Sequence, residues 1–188
     1  MELKANGMSI KDIYIHIFQS TMEQVGELWH DGIIPVGKEH YCTAVTQYNM
    51  GLLYGDIFTR KSNNRKLLAC AVGSELHEMG IRMVADLFEF EGWDTNYLGS
   101  NLPIEEIVNT AREFKPNVIA LSITMPYHIS LLKETIEKIK NTSSLQGVKV
   151  IVGGRPFYDN EALYAVVNAD GYARNAIEGI QLANELLQ

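Results

Sequence analysis

Two different spacings of apolar residues divide the chain into a helical part and an alternating part. Over residues 9–31 the apolar positions recur every three or four residues, as they do along one face of an α-helix. Ser9 is a typical N-cap for this helix, and Gly32 ends it. Pro35 suits the start of a second helix that continues to Ile57. Because the connection between the two is short, the pattern predicts an antiparallel helical hairpin.

After the polar run Arg60–Lys66, which indicates a linker, short apolar runs alternate with amphipathic stretches. The predicted strands are Leu67–Val72, Thr95–Leu98, Val118–Ile123, Val148–Val152 and Ala169–Tyr172. The predicted helices are about Gly80–Glu91, Pro103–Phe114, Ile129–Lys140, Asn160–Asn168 and Asn175–Leu187. Five such βα units predict an α/β fold, with a flavodoxin-like, five-stranded parallel sheet covered by helices on both faces.

Composition and charge exclude several classes of protein. The 188 residues include 16 Lys and Arg against 23 Asp and Glu, a net charge of -7, so the chain lacks the basic surface that direct DNA binding needs. No apolar run reaches the roughly 18 residues of a membrane span, and the N-terminus does not resemble a signal peptide. Cys42 and Cys70 are too few for a disulfide scaffold. We expect a cytoplasmic protein.

The loop after the first predicted strand contains a candidate metal ligand. In parallel α/β sheets, ligands bind beyond the carboxyl ends of the strands, and His77 lies there with Glu75 two residues before it. A carboxylate beside an imidazole is typical of a metal-ligating histidine. Gly80 allows either a tight turn into the next helix or the close approach of a bulky ligand. Taken singly, a loop histidine is more often a solvated or capping residue.

Two further strand ends carry small or polar residues. The third strand ends in Ser122 and Thr124, which lie two residues apart and so point to one face, and the fourth runs into Gly153 and Gly154. Paired glycines permit a flat group to approach the backbone, although they also form plain turns. A receiver domain is excluded because an aspartate after the third strand and a lysine after the fifth are missing. No G-x-G-x-x-G or P-loop follows the first strand.

Taken together, the motifs at three strand ends resemble those of cobalamin-binding domains. The family pattern D-x-H-x-x-G, S-x-L and G-G corresponds to Glu75-x-His77-x-x-Gly80, Ser122-x-Thr124 and Gly153-Gly154, within Leu67–Gln188. The resemblance implies that His77 is the lower axial cobalt ligand, that Glu75 is its partner, and that Ser122 and the paired glycines accommodate the nucleotide tail. Glu75 and Thr124 depart from the family's Asp and Leu.

The helical hairpin adds a second cluster of candidate residues. Trp29 and His30 end its first helix, while Glu39 and His40 begin the second, so antiparallel packing brings them to one end. Each residue alone is typical of ordinary packing or of a solvated surface. Ahead of a cobalamin domain, however, W-x9-E-H resembles the motif of the CarH-type B12 photoreceptors. That resemblance implies that Trp29 packs against a 5′-deoxyadenosyl group above the corrin and that Glu39 and His40 line the same upper pocket. It also implies that His30 binds cobalt after photolysis.

The resemblance implies an adenosylcobalamin-dependent light sensor that is not an enzyme. A helical cap over residues 1–62, a partial four-helix bundle, would cover a Rossmann-like cobalamin domain over residues 63–188. Photolysis of the Co–C bond would change the cap and the oligomeric state, and so regulate a partner or transcription. The MerR-like DNA-binding domain and the first cap helix of such regulators are absent from this sequence. Apolar surface exposed between Ile10 and Leu28 would then favour a homo-oligomer.

Two alternatives remain beside the light sensor. A corrinoid protein that carries methyl groups for methyltransferases, with methylcobalamin as the bound form, shares the cobalamin domain. The residues at the hairpin end favour the sensor, because a methyl carrier needs an uncovered upper face of the corrin. A fragment of a B12-dependent mutase is the third possibility, but the chain has no substrate barrel. The sequence does not identify an effector protein.

Overall fold

The computed structural model describes residues 2–58, 61–74 and 76–188, with only the backbone described for Glu2 and Asp159. The chain forms two compact units, Met1–Thr59 and Arg60–Gln188. The assignment of residues 1–62 to a cap and 63–188 to a cofactor domain remains a prediction. Across the described ranges, no helix is both long enough and apolar enough to cross a membrane.

The N-terminal unit is helical, as predicted, but its first long helix is irregular. The Ser9 hydroxyl accepts a hydrogen bond from the Asp12 amide at 3.1 Å, which confirms Ser9 as the N-cap. The middle of this helix is a π-helix, a wider turn that apolar spacing does not reveal. The second helix breaks after Gly51 instead of running unbroken to Ile57. The segments are α1 (Glu2–Ala5), α2 (Ile10–Asp12), the π-helix (Ile13–Gln19), α3 (Ser20–His30), α4 (Val36–Gly51) and α5 (Tyr54–Ile57).

The prediction that apolar surface is exposed between Ile10 and Leu28 is wrong. Most apolar side chains of this stretch are buried, and Leu28 is exposed at its end. The buried residues are Ile10, Ile13, Tyr14, Phe18 and Val25. Exposed apolar side chains lie instead along α4, three or four residues apart: Tyr41, Val45, Tyr48 and Leu52. Apolar surface between Ile10 and Leu28 therefore does not support a homo-oligomer, and the oligomeric state stays a prediction.

The second unit contains the predicted five-stranded sheet. The strand order is β2-β1-β3-β4-β5, and each neighbouring pair is parallel. This topology confirms the flavodoxin-like α/β fold. Because β1 has β2 on one side and β3 on the other, the strand order reverses next to the carboxyl end of β1. The strands are β1 (Lys66–Val72), β2 (Asp94–Leu102), β3 (Val118–Ser122), β4 (Lys149–Gly153) and β5 (Gly171–Tyr172).

The helices between the strands lie in two layers. One layer has α6 in contact with α11, and the other has α7 in contact with α8. The predicted helix over Asn160–Asn168 is confirmed only at Leu163–Val166, because Asn160 is extended (φ -147°, ψ 87°) and separates that short helix from another that ends at Asp159. The helices are α6 (Met79–Phe90), α7 (Ile104–Phe114), α8 (Ile129–Asn141), α9 (Pro156–Asp159), α10 (Leu163–Val166) and α11 (Ala176–Leu186).

Side chains of different size cover the two faces of the sheet. Large apolar side chains from the three central strands join those of α7 and α8 in the main core: Leu68, Cys70, Val72, Ile119, Leu121, Val150 and Val152. Alternate residues of these strands point to the opposite face. Several of those residues are small: Ala69, Ala71, Ala120, Ser122 and Gly153. The face toward α6 and α11 therefore carries smaller side chains than the face toward α7 and α8.

The two cysteines should differ sharply in reactivity. Cys70 is fully buried in β1, and burial raises the pKa of its thiol to about 12, whereas Cys42 is only half-buried. The thiolate is the reactive form, so at about pH 9 the native chain should react with a disulfide reagent only at Cys42. The Cys42→Ser variant should not react until it is unfolded. Rapid labelling of folded Cys42→Ser would contradict the buried position of Cys70.

Candidate cofactor site

A row of small residues crosses three neighbouring strands at their carboxyl ends. Ala71 of β1 is paired with Ser122 of β3, and Ser122 is paired with Gly153 of β4. All three positions face the layer of α6 and α11, because their neighbours in each strand belong to the core on the other face. Together they can accommodate a flat group against the sheet, with the half-buried Ser122 hydroxyl as a polar contact.

His77 lies at the apex of a three-residue turn. The Glu78 amide donates a hydrogen bond to the Leu76 carbonyl at 2.9 Å, which closes the turn directly before α6 begins at Met79. The His77 side chain is exposed, as a ligand to a bound group must be before binding. Its predicted partner, Glu75, lies outside the described residues, so their contact stays a prediction.

Gly80 does not make the tight turn that the sequence suggested as one of its two roles. It is the second residue of α6, and a Cβ at this position would meet no other atom within 4 Å. Open space beside an exposed glycine leaves the second suggestion, the close approach of a bulky ligand, as a prediction.

Ser122 and Thr124 do not share a strand face, because β3 ends at Ser122. Thr124 is half-buried in the segment that follows. Ile123 between them is buried in the core, and its amide donates to the Gly153 carbonyl at 3.2 Å. The structure therefore keeps Ser122 in the row of small residues but separates Thr124 from it.

The two glycines after β4 have different surroundings. Gly154 has a φ of +105°, and a Cβ there would collide with the Ile123 carbonyl oxygen and stand 2.9 Å from its carbon. The chain's own backbone thus occupies the space that Gly154 leaves. At Gly153 a Cβ would lie 3.1 Å from the Ala173 carbonyl oxygen, a tight but less severe approach. Of the pair, Gly153 is the one within the row of small residues.

The helical unit brings its candidate residues to one end of the hairpin, since α3 and α4 pack together and the turn between them is short. The Glu39 carboxylate receives hydrogen bonds at both oxygens, from His40 Nδ1 at 2.6 Å and from Thr43 Oγ1 at 2.8 Å. Trp29 is 42% exposed, and His30 is exposed as well. The hairpin thus places these residues toward one end of the unit, with Glu39 and His40 hydrogen-bonded to each other, while the convergence of all four side chains stays a prediction.

Two contacts that hold the loop after β1 involve residues that the sequence analysis did not single out. His128 is only 5% exposed, and its Nε2 lies 3.3 Å from Ser74 Oγ. Glu78 accepts a hydrogen bond from Ser100 Oγ at 3.1 Å. Glu78 follows His77 directly, which is a usable sequence signal, but nothing in the sequence indicates that β2 would bring Ser100 to it.

Models of known protein families match both parts of this chain. A model of the B12 binding domain matches residues 65–181, and a second model described as a B12 binding domain matches residues 2–54. The chain belongs to the B12-binding domain family. This membership confirms the predicted cobalamin-binding domain and supports cobalamin as the cofactor, without distinguishing adenosylcobalamin from methylcobalamin.

Individual relatives in the family are corrinoid proteins. Dimethylamine corrinoid protein 1 of Methanosarcina mazei is 33% identical over 116 residues, which are 62% of this chain and 53% of that protein. The matched region thus spans about half the length of this curated relative.

Two solved structures share the fold. The monomethylamine corrinoid protein of Methanosarcina barkeri superimposes with a TM-score of 0.84 at 21% identity, over 98% of this chain and 87% of that one. The methanol:cobalamin methyltransferase complex of the same organism gives 0.60 at 15% identity, over 94% of this chain and 67% of that one. The first of these likenesses extends over almost the whole chain, so it includes the helical unit.

The photoreceptor interpretation is wrong. The dimethylamine and monomethylamine corrinoid proteins that resemble this chain are named for methylamines, and neither name refers to light sensing or to the regulation of transcription. The W-x9-E-H spacing spans the turn between α3, which ends at His30, and α4, which begins at Val36, so the spacing alone does not identify a photoreceptor. Cobalt capture by His30 after photolysis depended on that interpretation and loses its basis.

The surroundings of Gly154 predict a large effect of substitution. Gly154→Ala should lower the free energy of unfolding by about 1–2 kcal/mol for the left-handed backbone, and by about 1–3 kcal/mol more for the collision with Ile123. Gly147→Ala is the matched control, because Gly147 has a φ of +87° but nothing within 4 Å of a Cβ. Urea unfolding of both variants measures the difference. Equal losses would show that Ile123 does not crowd Gly154.

Proposed function

We propose that this chain is a corrinoid protein that carries methyl groups on the cobalt of cobalamin between methyltransferases, and that the partner methyltransferases catalyse the transfers. The observation that carries the proposal is the 33% identity to a dimethylamine corrinoid protein over 116 residues. A methylated amine is accordingly the proposed source of the methyl group. The likeness to the monomethylamine corrinoid protein supports the same assignment.

The residues at the sheet edge fit cobalamin better than a free metal ion. Among the described residues, no group of three or more His, Cys, Asp or Glu side chains is close enough to hold such an ion. A corrin ring supplies the equatorial nitrogens itself, so a single exposed imidazole such as His77 suffices as an axial ligand. The row Ala71–Ser122–Gly153 likewise suits a flat aromatic tail.

Each candidate residue has a distinct proposed role. When bound, cobalamin supplies a cobalt centre that can accept a methyl group and give it up. His77 donates the lone pair of a neutral imidazole to the metal, and Glu75 orients that imidazole through its other nitrogen. Ser122 hydrogen-bonds the nucleotide tail, and Gly153 leaves room for it. Contacts of Trp29 and the Glu39–His40 pair with the upper ligand remain predictions.

His77→Ala tests the axial ligand. The full chain, prepared with nitrogen-15 and loaded with cob(II)alamin, should show an electron paramagnetic resonance spectrum split by a nitrogen-15 nucleus, because the bound nitrogen comes from the protein. His77→Ala should lose this splitting, while His16→Ala, a change at an exposed histidine of the helical unit, should retain it. A nitrogen-15 splitting in His77→Ala would refute the assignment.

Methyl transfer tests the carrier role. The reduced, cobalamin-loaded chain should take up one methyl group per cobalt when mixed with a methylamine methyltransferase and its methylamine, as followed by the visible spectrum. A second methyltransferase should then return the cobalt to its starting spectrum with a thiol acceptor. His77→Ala loaded with the same cobalamin should transfer more slowly. A loaded wild-type chain that accepts methyl from no mono-, di- or trimethylamine system would contradict the proposed donor class.

A further inference from the structure

The carboxylate of Glu78 ties the turn that carries His77 to a neighbouring strand. Glu78 is the N-cap of α6, but its side chain makes no capping hydrogen bond. The usual capping side chains are the shorter ones of Ser, Thr, Asp and Asn, so a glutamate at this position is available for a contact elsewhere. Here Glu78 Oε2 accepts instead from Ser100 Oγ of β2, at 3.1 Å. The residue next to His77 is thus held from outside its own helix.

Strand β2 is irregular at the point where Ser100 meets Glu78. Compared with its partner β1, strand β2 has one extra residue between Tyr97 and Gly99 and another between Gly99 and Leu102. Gly99 and Asn101, on either side of Ser100, have φ values of +81° and +57°. Such a conformation costs a non-glycine residue about 1 kcal/mol, and bulges re-aim the side chains they contain. The distortion is what turns Ser100 toward α6.

Two further residues of β2 lie near the same carboxylate. A Cβ at Gly99 would lie 3.4 Å from Glu78 Oε2, an ordinary contact distance that places Gly99 beside the carboxylate. The Tyr97 hydroxyl is buried and has no hydrogen bond of ordinary geometry within the described part of the chain. Burial and the nearby Glu78 charge raise the pKa of Tyr97 above its usual value. The Glu78 carboxylate therefore lies in a small polar enclosure made by β2.

The other end of the same loop is also held. Ser74 Oγ lies 3.3 Å from Nε2 of the buried His128. A Cβ at Gly73 would stand 2.9 Å from His128 Cδ2, so the backbone passes close over the imidazole ring. Ser74 is thus held from the segment after β3, and the contact of Glu78 with Ser100 holds the His77 end of the loop from β2.

We propose that Glu78 and Ser100 are positioning residues that hold the turn at Leu76–Glu78 in place, and thereby set how tightly His77 binds the cobalt of cobalamin. The proposal rests on the proposed function, in which His77 is the axial ligand. A coordination bond tolerates little displacement, and His77 is one residue from the anchored carboxylate. Loss of the anchor frees the turn without removing the ligand.

The test compares four variants of the full chain: Ser100→Ala, Glu78→Ala, the double variant, and Ser100→Thr, which keeps a hydroxyl. Loss of a residue that orients a metal ligand typically weakens binding 10–100-fold, so Ser100→Ala and Glu78→Ala should each raise the Kd for cob(II)alamin about tenfold. Both should also reduce the fraction of cobalt with the axial nitrogen splitting. Ser100→Thr should restore both values, and Ser144→Ala, at an exposed serine, is the neutral control.

The double variant separates a shared contact from general damage. If Glu78 and Ser100 act through one hydrogen bond, the double variant should bind no more weakly than the weaker single variant. Thermal unfolding of the cobalamin-free proteins checks that each variant folds. Ser100→Ala removes a single hydroxyl. If Glu78→Ala does not fold, the Kd and the axial nitrogen splitting of Ser100→Ala decide the test.

The two assignments fail in distinguishable ways. If His77→Ala removes the axial nitrogen splitting but Ser100→Ala and Glu78→Ala keep it with an unchanged Kd, the positioning role is overturned and the ligand stands. Additive losses in the double variant would also overturn the shared anchor. If His77→Ala itself keeps the splitting, the ligand assignment fails and this inference fails with it.

Discussion

Parallel pairing of the central strands is the constraint on which the candidate site depends. It places the carboxyl ends of β1, β3 and β4 along one edge, with Ala71, Ser122 and Gly153 side by side. The same alternation sends Cys70, Leu121 and Val152 to the opposite face, where they form the core with α7 and α8. The larger apolar side chains and the row of small residues thus lie on different faces of the same strands.

Strand order explains why the loop after β1 has neighbours on both sides. The chain leaves β1 for β2 on one side and later returns to β3 on the other, so Gly73–Glu78 ends up between them. Ser100 reaches the loop from β2, and His128 reaches it from the segment after β3. A loop that ends a central strand is in this way contacted from both sides, although the His77 side chain stays exposed.

The sequence predicted the features that depend on residue spacing. Short apolar runs between amphipathic stretches located the strands, and the ends of those runs located His77, Ser122 and Gly153. Thr124 was misplaced because β3 ends at Ser122. The bulges around Ser100 were missed, since left-handed Gly99 and Asn101 continue a strand after its alternation has stopped. The W-x9-E-H motif led to the wrong family for a related reason. Its spacing describes the turn between two helices and does not by itself identify a function.

Short-range contacts, rather than bulk apolar packing, fix the turns at the site. Gly154 is held against the Ile123 carbonyl, Glu78 against Ser100, and Ser74 against His128. Apolar packing would have to cover these residues in order to hold them, because its stabilisation grows with the area removed from water. A hydrogen bond or a close backbone approach acts at one or two atoms and leaves the rest of the turn uncovered. A site whose axial ligand must be both exposed and accurately placed can therefore be built only with contacts of the second kind.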